Sequence, residues 1–458
     1  MSTTTDMVAR LETVLGASRI VTAEEELREY AVDGVVPTAI ARPTSQAEVA
    51  EIVRFASAGG LSLIPSGSRS KLDFGMPPAR YDVALDMKAM RGIAHFDAGD
   101  LTLSVDAGMP LRVLESVLNE KRQFLPLSVP CYESSTIGGA AASGIDSALR
   151  LQYGTVRDFL IGAEFVDGTG NLCKSGGRVV KNVTGYDLHK LLVGSLGTLG
   201  IITRLNFRTF PMPHVFGGYL AAFPDVAAAI AFRSSISLKA LPVANIELLD
   251  PEAAALLRSL LDKTSVSLPV HTGRWLVAVA YEGNESVVQR ISRELGPLAQ
   301  AAGAREHGEL DASTDAGLSG AFRESFDWLR YSAPAAALFR ITFPSISASS
   351  FQTLQQIANA ASLRSATFLR AGSVLYFLVL AEHEQLSFID ALSNVAESVF
   401  ASVAAANGCA TLLHAPQTLK QRINIWGPKR PDFALMQRIK LAFDPKNIFS
   451  PGRFVGGL

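Results

Sequence analysis

Length, composition and charge limit the class of this protein before any motif is considered. Its 458 residues, 48% of them hydrophobic, are enough for two or three globular domains, each with its own core. The 42 lysine and arginine residues nearly balance the 43 aspartate and glutamate residues, which disfavours binding to nucleic acid or to an anionic membrane. Small molecules or other proteins are therefore the expected partners.

The cysteines and the first residues of the chain indicate its cellular setting. Cys131, Cys173 and Cys409 are far apart and form no CxxC pair that could hold zinc or an iron–sulfur cluster, so a reducing cytosol fits best. The N-terminus has no basic region followed by a long apolar core, and no stretch reaches the roughly 20 uninterrupted apolar residues of a spanning helix. We expect a cytoplasmic protein without a transmembrane segment, which could dock on the inner membrane through partner subunits.

A strand, a helix and a second strand are predicted for residues 38–66, after an N-terminal segment to which only one helix is assigned. Ser45 and Glu48 form a capping-box pattern, apolar residues then repeat at helical spacing, and Gly60 ends the helix. The second strand runs into the loop SGSRS at 66–70, whose small residues can turn N–H groups toward one point. This loop suits a phosphate or diphosphate, and an ordinary polar turn is the alternative.

Two further segments are rich in glycine and small polar residues. Residues 129–144 contain serine, threonine and glycine without a clear apolar period, and residues 194–200 read GSLGTLG before a predicted strand. A single glycine repeat arises by chance, but three such turns indicate that the backbone passes close to a large planar or phosphorylated ligand. No strand, GxGxxG and helix unit is followed by an acidic residue about 20 residues later, so this is not a simple nicotinamide-binding fingerprint.

The long motifs around these segments resemble a known family. The stretches YGTVRDFLIGAEFVDGTGNL, GGRVVKNVTGYDLHKLLVGSLGTLGIIT and FDPKNIFSPGRF are similar to FAD-binding oxidoreductases of the vanillyl-alcohol oxidase type, also called PCMH-type flavoproteins. Within that family they most resemble the FAD-binding subunits of bacterial glycolate oxidases. The resemblance covers about residues 37–213 and returns at 443–454. It implies an α+β fold, with a two-subdomain FAD-binding domain and an α/β cap domain built on a mostly antiparallel sheet.

The resemblance also divides the chain and suggests how the cofactor is held. It implies an N-terminal helical segment (1–36), a PCMH-type FAD-binding domain (37–213), a cap or substrate domain (214–430) and a C-terminal segment (431–458) that returns to the FAD domain. FAD is expected to be non-covalent, because the first loop reads SGSRS where covalent members carry a histidine. Cys131 is interpreted as a small buried thiol.

The FAD-binding residues implied by the resemblance come from all three glycine-rich segments and from the C-terminus. Asp158 has a structural alternative, a surface pair with Arg157 or Lys121, and Asn447 has another, the capping of a turn. The residues are Ser66, Gly67, Ser68, Arg69, Ser70, Ser134, Ser135, Thr136, Gly138, Gly139, Ser143, Gly144, Asp158, Gly200, Ile201 and Asn447.

Candidate catalytic residues are fewer. Catalytic 2-hydroxy-acid dehydrogenases of the family carry clustered histidines and a glutamate to bind a metal and take the hydroxyl proton, whereas the corresponding stretch here, CATLLHAPQTLKQRINIWGP, contains His414 alone. We interpret His414 as a core histidine and expect no metal. Arg340 lies on a strand expected to face the flavin, where it could hold a substrate carboxylate or pair structurally. Lys181 and Asn182 are expected near the flavin ring.

Three functions remain open at this point, all within or beside the class of FAD-dependent oxidoreductases. In the first, the chain is the FAD-binding subunit of a glycolate oxidase complex. That complex oxidises glycolate to glyoxylate with a catalytic flavoprotein subunit and passes the electrons to an iron–sulfur subunit. In the second, it is a structural flavoprotein subunit without substrate chemistry of its own. In the third, it is a free-standing FAD-dependent 2-hydroxy-acid dehydrogenase with an unusual base, which would turn over substrate as an isolated chain.

Overall fold

A computed structural model gives the architecture of the chain. The structure describes residues 2–178, 185–261, 268, 270, 273–311, 314, 316, 318–321, 333, 335–380 and 386–458. Within these residues, side chains are described for all except 2–4 and 386–387.

The helices and strands are numbered here in chain order. The helices are α1 (Ser2–Leu15), α2 (Glu24–Glu29), α3 (Gln46–Gly59), α4 (Leu111–Asn119), α5 (Ile137–Ser143), α6 (Arg150–Tyr153), α7 (Val156–Phe159), α8 (His189–Leu192), α9 (Val226–Leu238), α10 (Pro251–Leu261), α11 (Glu285–Ala301), α12 (Ala348–Ala360), α13 (Leu386–Ala405), α14 (Gln417–Lys420) and α15 (Phe433–Phe443). The strands are β1 (Ile20–Val21), β2 (Ala39–Ala41), β3 (Leu63–Ser66), β4 (Val83–Asp86), β5 (Ile93–Asp97), β6 (Thr102–Asp106), β7 (Gln123–Phe124), β8 (Leu160–Val166), β9 (Leu172–Gly176), β10 (Ile201–Arg208), β11 (Phe210–Pro211), β12 (Val215–Phe223), β13 (Val243–Leu249), β14 (Trp275–Gly283), β15 (Glu306–Leu310), β16 (Ala337–Thr342), β17 (Arg364–Arg370), β18 (Val374–Leu380) and β19 (Cys409–His414).

The first subdomain is a small sheet with strand order β1-β2-β4-β3, in which β2, β4 and β3 are parallel. Its predicted strand, helix and second strand are confirmed as β2, α3 and β3. The Ser45 hydroxyl accepts a hydrogen bond from the Glu48 N–H at 3.3 Å, and Gly60 ends α3 with φ +67°. Both ends of the helix are therefore set by local residues, while its buried face packs on the sheet.

The second subdomain is an antiparallel sheet with strand order β5-β6-β10-β8-β9. Strands β8 and β9 form the predicted hairpin, and the Asp167 carboxylate accepts the N–H groups of Thr169 and Asn171 across its turn. Helices α4 and α5 pack against this sheet. The N-terminus of α5 is capped by the Thr136 hydroxyl, which accepts from the Gly139 N–H at 3.2 Å.

The cap domain is one antiparallel sheet with strand order β15-β12-β14-β13-β17-β18-β16-β19 in the described residues. Helices α9, α11, α12 and α13 cover one face of it. The other face carries residues such as Tyr376 and Leu249, and it packs against Phe74 and Ile145 of the FAD domain. The predicted α+β fold with a mostly antiparallel cap sheet is confirmed, and one face of this sheet is directed at the cofactor domain.

One cap helix is more apolar than the sequence patterns suggested. Within the described part of the chain, a single helix is long and apolar enough to cross a membrane by length and composition, at Phe388–Ala405 inside α13. Its buried residues, among them Ile389, Val395 and Val399, pack in the core of the cap domain against the sheet.

The C-terminal residues return to the first subdomain. The Leu63 N–H donates to the Ile448 carbonyl at 2.7 Å, and the Ser450 N–H donates to the Leu63 carbonyl at 2.9 Å. These bonds lay the C-terminal segment beside β3 as an added edge, and Phe449 is fully buried there. As a result, the last residues of the chain stand directly behind the loop that follows β3.

Candidate functional site

A cleft enclosing about 760 Å³, part of it open to solvent, lies between the two subdomains of the FAD domain. Its walls come from the loop after β3, from α5, from the turn before β10 and from the C-terminal segment. The lining residues are Pro65, Ser66, Gly67, Ser68, Arg69, Ser70, Lys71, Leu72, Phe74, Met87, Ala107, Thr136, Gly138, Gly139, Ala142, Ser143, Leu196, Gly197, Gly200, Ile202 and Arg453.

The three glycine-rich segments meet at this cleft, but several of their glycines are required by contacts within the chain itself. A Cβ atom on Gly67 would lie 2.2 Å from the Thr136 hydroxyl oxygen, and one on Gly138 would lie 2.7 Å from the Ala107 carbonyl oxygen. Real Cβ atoms do not approach other atoms so closely. These glycines thus allow the walls of the cleft to lie close together. They shape a ligand site through this close packing of the walls.

Two buried polar atoms in the lining residues lack a hydrogen-bond partner. They are the Ser66 hydroxyl and Nε of Arg453, whose residues are 7% and 3% exposed. Buried polar groups are nearly always hydrogen-bonded, so these two donors suit an acceptor within the cleft. Phosphate oxygens of a dinucleotide are such acceptors, and the small side chains and glycines of the walls leave room for its length. The residues present therefore fit FAD.

Ten of the expected FAD-binding residues line the cleft. They are Ser66, Gly67, Ser68, Arg69, Ser70, Thr136, Gly138, Gly139, Ser143 and Gly200. Arg69 is partly committed elsewhere. Its guanidinium pairs with Glu29 at 3.0 Å and lies 4.4 Å from the centre of the Tyr30 ring.

Four other expected residues do not line the cleft. Ser135 is fully buried and its hydroxyl donates to the Cys131 carbonyl at 2.6 Å. Gly144 packs against Gly194, and Ile201 is buried in the core at the start of β10. Ser134 is a fourth, and its hydroxyl also faces the Cys131 carbonyl, at 3.3 Å. Cys131 itself is buried with φ +55°, in agreement with its interpretation as a small buried thiol.

Asp158 and Asn447 do not line the cleft and make structural contacts of their own, and their expected role in FAD binding stays a prediction. The Asp158 carboxylate accepts the N–H and hydroxyl of Thr155 at 2.7 and 2.8 Å, at the start of α7. Burial raises the pKa of Asp158, but these hydrogen bonds outweigh it and the net shift is downward. Asn447 is exposed in a turn with φ +49°, where its carbonyl accepts from Arg80 at 3.0 Å.

Arg340 lies on the cap face that is directed at the FAD domain, and it is paired. Its Nε donates to the Asp146 carboxylate at 2.6 Å, and Asp146 stands three residues after Ser143 in the cleft wall. Burial lowers the pKa of Arg340, but the nearby Asp146 and Tyr376 raise it by more. The net shift is upward, so the guanidinium stays charged. The structural pairing left open by the sequence is thus present.

A second ion pair stands beside the first on the same face. Arg370 pairs with Glu247 at 2.9 Å, and both side chains are almost completely buried. Tyr376 pairs in register with Arg340 on β16 and is in cation–π range of Arg370, 5.5 Å from its guanidinium. Its hydroxyl is buried without a hydrogen-bond partner, and burial raises its pKa to about 12. The phenol is therefore a neutral donor between two arginines.

The remaining catalytic candidates stay predictions. Lys181 and Asn182 lie outside the described residues. His414 is largely buried at the end of β19, with Nδ1 3.9 Å from the Asp73 carboxylate. Among the residues that the structure describes, no group of three or more histidine, cysteine, aspartate or glutamate side chains could hold a metal ion.

Several lining residues were not among the FAD-binding residues that the resemblance implied. Lys71 directly follows the loop SGSRS, and its ammonium group donates to the Ser70 and Ser135 hydroxyls. Arg453 lies in the motif SPGRF, and Phe74 packs against Trp426 with tilted rings whose centroids are 5.7 Å apart. The positive charge next to the serine loop was a signal for Lys71, whereas the place of Arg453 depends on how the C-terminus folds back.

Family models match most of the chain. The model described as "FAD binding domain" matches residues 37–176, and that described as "FAD linked oxidases, C-terminal domain" matches residues 213–454. Among solved structures, p-cresol methylhydroxylase aligns over 98% of this chain and 96% of its own, with a TM-score of 0.77 and 17% identity.

Curated relatives agree with these matches. The chain is 26% identical to glycolate oxidase subunit GlcD of Bacillus subtilis over 421 residues, which is 91% of this chain and 89% of that protein. It is 25% identical to D-lactate dehydrogenase of Archaeoglobus fulgidus over 91% of both chains. It is also 36% identical to glycolate oxidase subunit GlcE of Escherichia coli, over 39% of this chain and 47% of that subunit.

Fold and cleft together define a flavoprotein of the PCMH type, with a two-subdomain FAD-binding domain and a cap domain built on an antiparallel sheet. The chain belongs to the FAD-linked oxidases. It is an FAD-dependent oxidoreductase, as its resemblance to this family implied.

Proposed function

We propose that this chain is the FAD-binding subunit of a glycolate-oxidase-type complex and acts on a 2-hydroxy acid only together with partner subunits. When bound, FAD supplies the acceptor for a hydride equivalent. A catalytic flavoprotein subunit would oxidise glycolate to glyoxylate, and an iron–sulfur subunit would carry the electrons away. We also propose that the complex is cytoplasmic and attaches to the inner membrane through its partners.

The observation that carries the proposal is the ion pair between Arg340 and Asp146. An arginine on the sheet facing the flavin is the group that would bind a substrate carboxylate through two parallel hydrogen bonds. Here Asp146 already holds that guanidinium at 2.6 Å, and Arg150 binds the other oxygen of the same carboxylate at 2.5 Å. A glycolate ion that used the Nε edge of this guanidinium would have to displace Asp146, which would leave a buried carboxylate without one of its cations.

The printed names of relatives add support. Two of them are called subunits of glycolate oxidase, and this chain is similar to both. A complex that contains two chains of this fold is therefore a consistent setting, in which one copy could oxidise the substrate and the other could accept or relay electrons.

A second candidate function is a free-standing 2-hydroxy-acid dehydrogenase. It is favoured by the position of Arg340 and Tyr376, two donors side by side on the face directed at the FAD domain. In that case Asp146 would give up Arg340 when substrate binds, and the isolated chain would turn over.

One experiment separates these functions. The purified chain, loaded with FAD, is mixed anaerobically with glycolate, D-lactate or D-2-hydroxyglutarate, and the flavin absorption is recorded. We expect the flavin of the isolated chain to stay oxidised in the presence of these acids. We expect its absorption to be bleached once the catalytic flavoprotein subunit is added. Rapid bleaching of the isolated chain would establish the second candidate, and a flavin that stays oxidised in the assembled, active complex would indicate a structural subunit.

A further inference from the structure

The C-terminal segment brings a buried cation to the FAD cleft. Arg453 is 3% exposed and lines the cleft. Its Nη2 atom donates to the carbonyl oxygens of Leu72 and Phe74, at the end of the loop after β3, the second contact being 2.6 Å long. Its own carbonyl accepts the Trp426 indole N–H at 3.1 Å and the Met76 N–H at 3.0 Å. The side chain is thus held firmly at the base of the cleft.

No carboxylate of the described residues lies within 4.0 Å of this guanidinium. Asp33 and Asp73 act on it only from a greater distance, and Asp33 is bound at 3.0 Å by Lys420. Burial lowers the pKa of Arg453, and these distant carboxylates offset only part of that effect. A buried cation that meets carbonyl oxygens alone is costly unless an anion is present beside it.

Two hydrogen-bond donors without partners also indicate that an anion binds here. Nε of Arg453 and the hydroxyl of Ser66 are both buried and have no hydrogen-bond partner, although both residues line the same cleft. Arg370, the other buried arginine of the described residues, pairs with a carboxylate. At Arg453 the missing acceptor must therefore come from a bound molecule, and an anionic oxygen satisfies both the charge and the open donors.

We propose that Arg453 binds the diphosphate of FAD together with Ser66, so that the last residues of the chain complete the cofactor site. This inference concerns the cofactor and holds whichever substrate function is correct. It also implies that FAD binding stabilises the contact between the C-terminal segment and the loop after β3, because both then share one ligand.

The test uses the full chain after removal of its flavin. Binding of FAD, ADP and riboflavin is measured by fluorescence or calorimetric titration for the original protein, for Arg453→Met and for Arg80→Met. Arg80 is the matched control, because it is an exposed arginine that ties the same C-terminal segment through the carbonyls of Gly60 and Asn447. ADP contains the diphosphate without the flavin ring, and riboflavin contains the ring without the diphosphate.

We expect Arg453→Met to weaken FAD and ADP binding by about 10-fold to 100-fold, the range for a charge-assisted hydrogen bond, with riboflavin binding unchanged. The decrease in ADP affinity with added salt should become shallower in that variant and stay unchanged in Arg80→Met. Equal losses for ADP and riboflavin, or an unchanged salt dependence, would show that Arg453 only holds the loop and would overturn the proposal.

A second variant keeps the test decisive if Arg453→Met does not fold. Arg453→Lys retains the charge but lacks the planar fork of donors. The proposal expects it to bind ADP several-fold more weakly, with the original salt dependence and with unchanged riboflavin binding. A lysine variant that loses ADP and riboflavin to the same extent would contradict it.

Discussion

The Asp146 carboxylate joins the two domains. One of its oxygens accepts a hydrogen bond from Nε of Arg340 on the cap sheet at 2.6 Å, and its other oxygen accepts one from Nη1 of Arg150 at 2.5 Å. Asp146 stands just after α5, whose last residue lines the FAD cleft. The pair therefore has two consequences. It contributes to the fixed position of the cap sheet over the cofactor domain, and it occupies Nε of the guanidinium that a substrate carboxylate would use.

Replacing Asp146 by asparagine should release Arg340 for small anions. The size of the side chain is retained, but its charge is lost, so we expect oxalate to perturb the flavin absorption at concentrations about 10-fold lower than in the original protein. Difference spectra of the FAD-loaded variants measure this. Asp158→Asn is the control, because that carboxylate caps α7 away from the cleft. If oxalate affected Asp146→Asn and the original protein equally, Arg340 would not be the limiting group.

The close contact between Gly67 and Thr136 should make FAD binding sensitive to one methyl group. In Gly67→Ala the new Cβ would overlap the Thr136 hydroxyl and separate two walls of the cleft, so we expect FAD affinity to fall at least about 10-fold and stability to fall by about 1–3 kcal/mol. Equilibrium titration with FAD and thermal unfolding measure the two effects. Gly177→Ala is the matched control, because its Cβ would meet no atom within 4 Å.

A Gly138 variant would be less informative about FAD than a Gly67 variant. Its Cβ would meet the carbonyl and Cβ of Ala107 in the core of the second subdomain, so loss of fold and loss of cofactor could not be separated. If Gly67→Ala and Gly177→Ala retained FAD equally well, the contact between the two loops would not control the shape of the site.

Lys440 should be required for the C-terminal segment to stay packed against the rest of the chain. Its ammonium group donates to the Asp444 carboxylate at 2.6 Å and to the carbonyls of Thr198 and Phe449 at 2.8 and 3.0 Å, all buried. Lys440→Met leaves that carboxylate without its cation, so we expect a loss of about 3–5 kcal/mol in the free energy of unfolding. Denaturant titration measures it, and Arg438→Met on the exposed side of the same helix should change it by less than about 0.5 kcal/mol. A similar small change for Lys440→Met would contradict this role.

Asp250 should make the stability of the cap domain depend on pH. Burial raises the pKa of Asp250 from 3.8 to about 6, although the N–H groups of Ala253 and Thr367 donate to it at 2.7 and 2.8 Å and oppose the shift. The folded protein therefore binds this proton more tightly than the unfolded chain does. Its stabilising contribution is fully present below pH 4 and is lost as the pH rises through 6, by an amount on the order of 2–3 kcal/mol.

Asp250→Asn should remove that dependence, because the amide does not titrate and its oxygen can still accept from Ala253. The difference in unfolding free energy between variant and original protein should shift in favour of the variant between pH 4 and pH 7. Denaturant unfolding at several pH values measures it. Parallel pH profiles for the two proteins would mean that Asp250 does not titrate in this range.

Local patterns predicted much of the fold, because they report contacts between residues close in the chain. The Ser45 cap, the Gly60 stop and the turn at Asp167 each depend on atoms within a few residues, and all three are found in the structure. The glycine-rich segments predicted three of the four walls of the cleft for a related reason, since a glycine indicates a close approach even when its partner is unknown.

The same patterns could not distinguish, within a wall, the residues that face the cleft from those behind it. Ser135 and Thr136 are neighbours of similar chemistry, yet Ser135 is turned toward the Cys131 carbonyl while Thr136 lines the cleft. Asp158 lies in a motif shared with the family, but its carboxylate is used by Thr155. Which side of a loop faces a ligand depends on packing against other segments, which spacing along the chain does not record.

The sequence by itself determined the class of this protein and its cofactor, through the resemblance of its long motifs to a known family. It also determined the elements that approach the cofactor, because capping, periodicity and glycine content act over a few residues. Only the tertiary structure decided how its charges are used. Arg340 and Asp146 are 194 residues apart, and Arg453 reaches the loop carbonyls of Leu72 across 381 residues. Such pairs depend on which segments the fold brings together, and in a buried site the choice of partner determines whether an arginine is already neutralised or still requires an anion.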